Sequence, residues 1–262
     1  MTTRLIVAIP GVIAVLLAVA LGGPLFIGLA LIISLIGLFE FYRVADPYRP
    51  LRWAGYVGVA ATVVFAGTVS PPERAMVLGL GATLGCLALA AVLVPGGKHL
   101  VSRLGVTALG VLYLGAPLAV LVLLRRLEVG DAAVINVLVG TWVFDTASYF
   151  GGKLWGRRPI APNISPHKTV EGFVVGFVVG VLAVWVAGLY MDWIGHLESV
   201  VLGAAICGAA YLGDLFESRL KRDAHVKDSG TLLLGHGGVL DRFDALLFSV
   251  IPGYLITVWL VL

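Results

Sequence analysis

The chain has 262 residues, 60% of them hydrophobic and only 13% charged, with a formal net charge of +3. A water-soluble globule of this size has no core large enough to hide so much apolar surface, so composition puts the protein in a lipid bilayer and leaves nucleic acid out of its expected partners. The net charge gains meaning only when each charge is assigned to a membrane face.

A hydrocarbon core about 30 Å thick needs roughly 20 apolar residues per helical crossing. Nine runs of about that length follow in order, at residues 5–22, 24–42, 53–70, 75–95, 104–124, 132–151, 170–191, 198–217 and 241–262. They predict an all-α polytopic membrane protein with about nine transmembrane helices. The first run, with Arg4 ahead of it and Ala18 and Ala20 near its end, also has the outline of a cleaved leader. The next run begins at once, however, and the charge count favours keeping the first. With no linker, low-complexity tract or fixed-period repeat, one integral membrane domain over 1–262 is expected, the helices of 1–130 preceding catalytic helices and loops in 131–262.

Cys86 and Cys207 fall inside apolar runs and read as small buried hydrophobes. In the seventh run, Gly172, Gly176 and Gly180 form a small-residue stripe, which suits close packing within the chain and also a homodimer seam.

Nine crossings put the N-terminus and the even-numbered loops on one face. That face then carries 15 Lys and Arg residues, against three on the other, Arg74, Arg125 and Arg126. Basic residues are retained on the cytoplasmic side, so the N-terminus is expected inside and the C-terminus outside a cell membrane. The two long inner loops, 152–169 and 218–240, hold most of the side chains able to do chemistry.

Acids interrupt the apolar runs at particular places. Asp145 lies well inside the sixth, where a charge costs roughly 2.5–3.5 kcal/mol on insertion scales and so needs a partner or a polar cavity. Asp214 and Glu217 stand three apart near the inner end of the eighth, and Asp241 and Asp244 repeat the spacing at the start of the ninth. Beside them are Lys168, Lys221, Arg222, Lys227 and Arg242. Isolated acids at helix ends pair with arginines or snorkel to headgroups. Five acids on three spans among five bases point instead to a phosphate site, with hard oxygen ligands suited to Mg²⁺.

The inner loops add to this. In SPHKTVEG a proline-marked turn leads through Lys168 and Thr169 into the seventh helix, whose N-terminal amides favour an anion. In GHGG, the glycines at 235, 237 and 238 permit a backbone nest of amides. His236 can donate to a phosphate or serve as an ordinary polar loop residue. The chain has no GxxxxGK[ST], no HExxH and no GxSxG, which disfavours P-loop enzymes, zinc proteases and serine hydrolases.

The stretch Ser218 to Asp244, SRLKRDAHVKDSGTLLLGHGGVLDRFD, resembles the signature of the phosphatidate cytidylyltransferase (CDP-diacylglycerol synthase) family. Ser218, Lys221, Arg222, Lys227, Asp228, Gly230, His236, Gly237, Gly238, Asp241, Arg242 and Asp244 stand in that pattern's order and spacing. The upstream DTASYFGGKLWG and SPHKTVEG resemble the family as well, so the likeness covers the C-terminal half from about Asp145. Leu234 departs from the Pro or Gly usual there, with Gly235 beside it to keep the turn supple. The resemblance implies a membrane enzyme that takes CTP and phosphatidate to CDP-diacylglycerol and pyrophosphate with Mg²⁺.

On that footing Asp214 and Asp241 are expected to hold the metal. Asp145 lines the same pocket, with room for a second cation. Lys221, Arg222 and Lys227 bind the triphosphate or the lipid phosphate, and Arg242 either joins them or neutralises Asp244. Ser165, Lys168 and Thr169 close the site from the seventh helix, and Ser218, His236, Gly237 and Gly238 complete it. The competing readings are a CTP-dependent enzyme acting on another lipid, such as a polyprenol kinase or an archaeol-type cytidylyltransferase, and an ion-coupled anion transporter. A transporter calls for acids at the bilayer midplane and matching broken helices; here the acids cluster toward the inner face and no inverted repeat is apparent.

Overall fold

The computed structural model describes residues 2–94, 99–226, 229–230 and 238–261. Among these, a helix stands at each of the nine apolar runs: α1 Thr2–Leu21, α2 Gly23–Val44, α3 Arg52–Thr68, α4 Pro72–Leu93, α5 Leu100–Arg125, α6 Gly130–Trp155, α7 Val170–Gly188, α8 His196–Asp223 and α9 Leu240–Val261. Seven of them, all but α1 and α3, are long and apolar enough to cross a membrane. The helix α3 has 17 residues, and the apolar part described in α1 is Pro10–Leu21. The architecture is that of a mainly helical, multi-pass membrane protein.

A two-stranded hairpin departs from the all-helical expectation. Strands β1 Pro159–Ala161 and β2 Ser165–Thr169 pair antiparallel, with Pro159 opposite Thr169 and Ala161 opposite Ser165. The SPHKT stretch, expected as a turn, is therefore extended. Pro166 disfavours helical dihedrals at Ser165, and pairing with β1 satisfies backbone groups that a turn leaves open. In α5 a single π turn, Val111–Gly115, precedes Pro117. Proline has no amide proton for the carbonyl four residues back and its ring crowds that carbonyl; a widened turn relieves both.

The chain divides into two compact units, Met1–Arg126 with Val226–Arg242, and Leu127–His225 with Phe243–Leu262. In the first unit Leu38, Ala54, Val59, Val63, Val111 and Leu114 are buried between α2, α3 and α5. A polar chain ties the same helices: the Tyr42 hydroxyl donates to the Thr107 carbonyl at 3.1 Å, and the Thr107 hydroxyl accepts from the Leu51 amide at 2.8 Å. Two of the three arginines expected on the outer face serve helix ends. Arg125 Nε donates to the Val19 carbonyl (2.6 Å), and Arg126 to those of Ala66 (2.6 Å) and Val69 (2.7 Å). Carbonyls of a last helical turn lack intrahelical donors, and a cation there also matches the helix dipole.

In the second unit the glycine stripe of α7 lies against its neighbours. A Cβ on Gly172 would stand 2.8 Å from the Ser148 carbonyl oxygen, and one on Gly180 would stand 2.6 Å from Cys207 Sγ. Only the missing side chains let α7 come this near α6 and α8. The stripe is thus filled from within the chain. Phe144, Cys207, Ala210 and Ala245 make the core beside it, with Phe173, Phe177 and Tyr211 packed around them.

Candidate active site

On α8, Asp214, Glu217, Ser218 and Lys221 recur at intervals of three and four residues, which sets them on one stripe. The hairpin brings Lys168 to that stripe: its Nζ lies 2.6 Å from Oδ1 of Asp214 and donates a longer bond, 3.4 Å, to the Ser218 hydroxyl. Lys221 Nζ lies 2.7 Å from Oε2 of Glu217, whose side chain is 2% exposed. Asp244 of α9 is buried and close to Glu217, Asp214 and Lys221. Asp145 of α6 is exposed and within electrostatic reach of Asp244, Asp214 and Lys168.

The second unit therefore gathers four acidic side chains, Asp145, Asp214, Glu217 and Asp244, and two lysines, Lys168 and Lys221. Among the described residues no three His, Cys, Asp or Glu side chains converge tightly enough to hold a metal by themselves. Mg²⁺ typically takes one or two protein carboxylates and completes its octahedron with phosphate and water, so the donor chemistry fits it.

Three residues expected at substrate help to build the hairpin and its junction with α7. Arg222 Nε donates to the Ile164 carbonyl at 3.1 Å. The Thr169 hydroxyl accepts from the Gly172 amide at 3.2 Å and caps α7, which takes up one of the amides expected to face an anion. Ser165 sits in register opposite Ala161. Glu171 completes the junction, its Oε2 accepting from the amides of Arg157 (3.0 Å) and Arg158 (3.2 Å).

Gly238, Asp241 and Arg242 belong to the first unit. Asp241 Oδ2 accepts from the Gly238 amide at 2.7 Å, and the Ser229 amide reaches both carboxylate oxygens at 3.3 and 3.2 Å. The Gly238 amide, expected to face phosphate, is held by this carboxylate. Arg242 is exposed. Lys227, His236 and Gly237 lie outside the described residues, as do Asp228, Leu234 and Gly235.

Two acids carry more than the sequence reading gave them. Glu217, one of the five acids expected around a phosphate site, is the buried partner of Lys221. Glu40, near the end of α2, is 0% exposed, and its Oε2 accepts from the Leu240 amide at 2.8 Å and the Ser229 hydroxyl at 3.4 Å. The signal was present, because Glu40 is the one acid in the run 24–42 and stands near its inner end, as the other singled-out acids do in theirs.

The chain matches the cytidylyltransferase family over residues 2–260. It is similar to the phosphatidate cytidylyltransferase of Pseudomonas aeruginosa, with 35% identity over 263 residues, or 94% of this chain and 94% of that protein. It is also similar to those of Bacillus subtilis (40% identity over 151 residues) and Thermotoga maritima (39% over 135). These two matches cover 56% and 49% of this chain, and they span about half the length of the relatives, 55% and 50%.

Proposed function

Because the chain belongs to the cytidylyltransferase family, we propose that it is a phosphatidate cytidylyltransferase, which converts CTP and phosphatidate to CDP-diacylglycerol and pyrophosphate. The observation that carries this reading is the meeting of Asp145, Asp214, Glu217, Asp244 and Lys221, on helices apolar enough to span a membrane, with Lys168 of the hairpin. That chemistry suits a phosphate-bearing lipid and a nucleotide at a bilayer surface.

In the reaction a phosphate oxygen of the lipid attacks the α-phosphorus of CTP in line, and the bond to the bridging oxygen breaks as pyrophosphate leaves with its electron pair. Phosphatidate is already ionised, so no strong general base is needed. Lys168 and Lys221 bring positive charge to the non-bridging and leaving oxygens, held in place by Asp214 and Glu217. Arg222, Lys227, His236 and Arg242 are further proposed phosphate contacts. In the second unit Asp214 is a proposed ligand of Mg²⁺, with Asp145 available to a second cation, and in the first unit Asp241 is proposed in the same role; Mg²⁺ would neutralise part of the phosphate charge.

Nine crossings, with the N-terminus and the site on the cytoplasmic face and the C-terminus outside, complete the proposal. A homodimer would use a face other than the glycine stripe, which α6 and α8 already fill. The test is purified protein in detergent with phosphatidate, Mg²⁺ and CTP labelled in its cytosine ring. Label should enter the lipid phase with release of pyrophosphate. No label in lipid under any divalent metal would refute the reading, and release of CDP instead would indicate a lipid kinase.

A further inference from the structure

Glu40 is a fully buried carboxylate in an apolar helix, a placement that is costly unless its oxygens are used. The salt bridges among the described residues do not include it. Its Oε2 instead accepts from the Leu240 amide and the Ser229 hydroxyl, and its Oε1 is buried with no hydrogen-bond partner among the described residues. Leu240 opens α9, so this carboxylate serves an amide that the helix itself leaves without an acceptor.

Two glycines approach the same carboxyl group. A Cβ on Gly230 would stand 2.5 Å from Oε1, and one on Gly238 would stand 2.7 Å from Cδ. A side chain at either position would push the carboxyl group away. Asp241 fastens the same stretch from α9 by accepting from the Ser229 and Gly238 amides. One carboxylate from α2 and one from α9 thus hold Ser229–Gly230 beside Gly238–Leu240.

We propose that Glu40 is a positioning residue for cytidylyl transfer. By fixing Ser229 and Leu240 it sets where α9 begins and so the direction in which the Asp241 carboxylate points. The inference rests on the activity proposed above, and Glu40 itself touches no substrate in this role.

The test compares the wild-type full chain in detergent with Glu40→Gln and Glu40→Ala. The readouts are kcat, KM for CTP, Mg²⁺ dependence, melting temperature and hydrogen exchange of the amides at 238–241. In Glu40→Ala the Leu240 amide should exchange about tenfold faster, as loss of one charge-assisted hydrogen bond predicts. Its kcat per folded molecule should fall about tenfold or more, with half-maximal rate shifted to higher Mg²⁺. Glu40→Gln keeps one acceptor oxygen in place and should recover part of both losses. Unchanged exchange at Leu240 in Glu40→Ala would overturn the proposal, as would a kcat per folded molecule within about twofold of wild type. If Glu40→Ala does not fold, Glu40→Gln decides: reduced kcat at an unchanged melting temperature supports positioning, and wild-type kcat refutes it. A wild-type chain that transfers no cytidylyl group would sink the activity itself, while the exchange comparison would still show whether Glu40 holds this stretch.

Discussion

Lys168→Met removes the ammonium that the hairpin brings to α8 and keeps most of its apolar stem. The Lys168–Asp214 pair is 2.6 Å long, with side chains 19% and 35% exposed, so it lies between two regimes. Exposed pairs contribute about 0–1 kcal/mol, and breaking a buried pair costs about 3–5 kcal/mol. An intermediate figure of about 2 kcal/mol corresponds to roughly a 30-fold effect. The loss should exceed that of an isolated pair, because Asp145, Asp214, Glu217 and Asp244 are then left with Lys221 alone among the site lysines. The assay is the initial rate of label transfer from CTP to lipid at saturating phosphatidate over a range of CTP concentrations. We expect kcat/KM for CTP to fall by about 30-fold or more in Lys168→Met and by less in Lys168→Arg, which keeps the charge but not the shape. Adding Asp214→Asn should not restore activity if Asp214 also holds metal. A Lys168→Met enzyme within about threefold of wild type at every CTP concentration would refute the reasoning.

Asp241→Asn keeps the side-chain shape and one acceptor oxygen for the Gly238 amide, so the protein should stay folded while kcat drops by about 100-fold or more; near-normal turnover would remove Asp241 from the metal site. Gly172→Ala puts a methyl 2.8 Å from the Ser148 carbonyl oxygen and should destabilise the protein by about 1–3 kcal/mol. Gly208→Ala, in open space on α8, should be neutral or stabilising, and equal melting temperatures for the two variants would contradict the packing described for α7. In a background lacking Cys86 and Cys207, a cysteine at Glu128 should react with an impermeant maleimide in spheroplasts, whereas one at Asn163 should react only after permeabilisation. The opposite pattern would reverse the proposed orientation.

Glu40 shows where sequence reasoning stopped short. Its position near the inner end of an apolar run was legible, but its partners, Ser229 and Leu240, lie 189 and 200 residues away, and no local pattern links them. The pairing of Lys168 with Asp214 was likewise beyond reach, although both residues had been singled out, because it depends on the hairpin that carries Lys168. The hairpin itself was hidden by its own residues: SPHKT reads as a turn, and it is extended only because residues 159–161 are there to pair with it.

The positions of the helices and the residue types available for phosphate chemistry were already set by the order of amino acids. Apolar run length is a local property that the bilayer tests one segment at a time, and a charge inside such a run stands out without knowledge of its neighbours. Tertiary structure alone decided which charges meet, that the glycine stripe serves packing within the chain, and that the amides of Gly172 and Gly238 are already taken. Those outcomes depend on distances between helices far apart in sequence, where a single missing Cβ or a shared carboxylate changes the result.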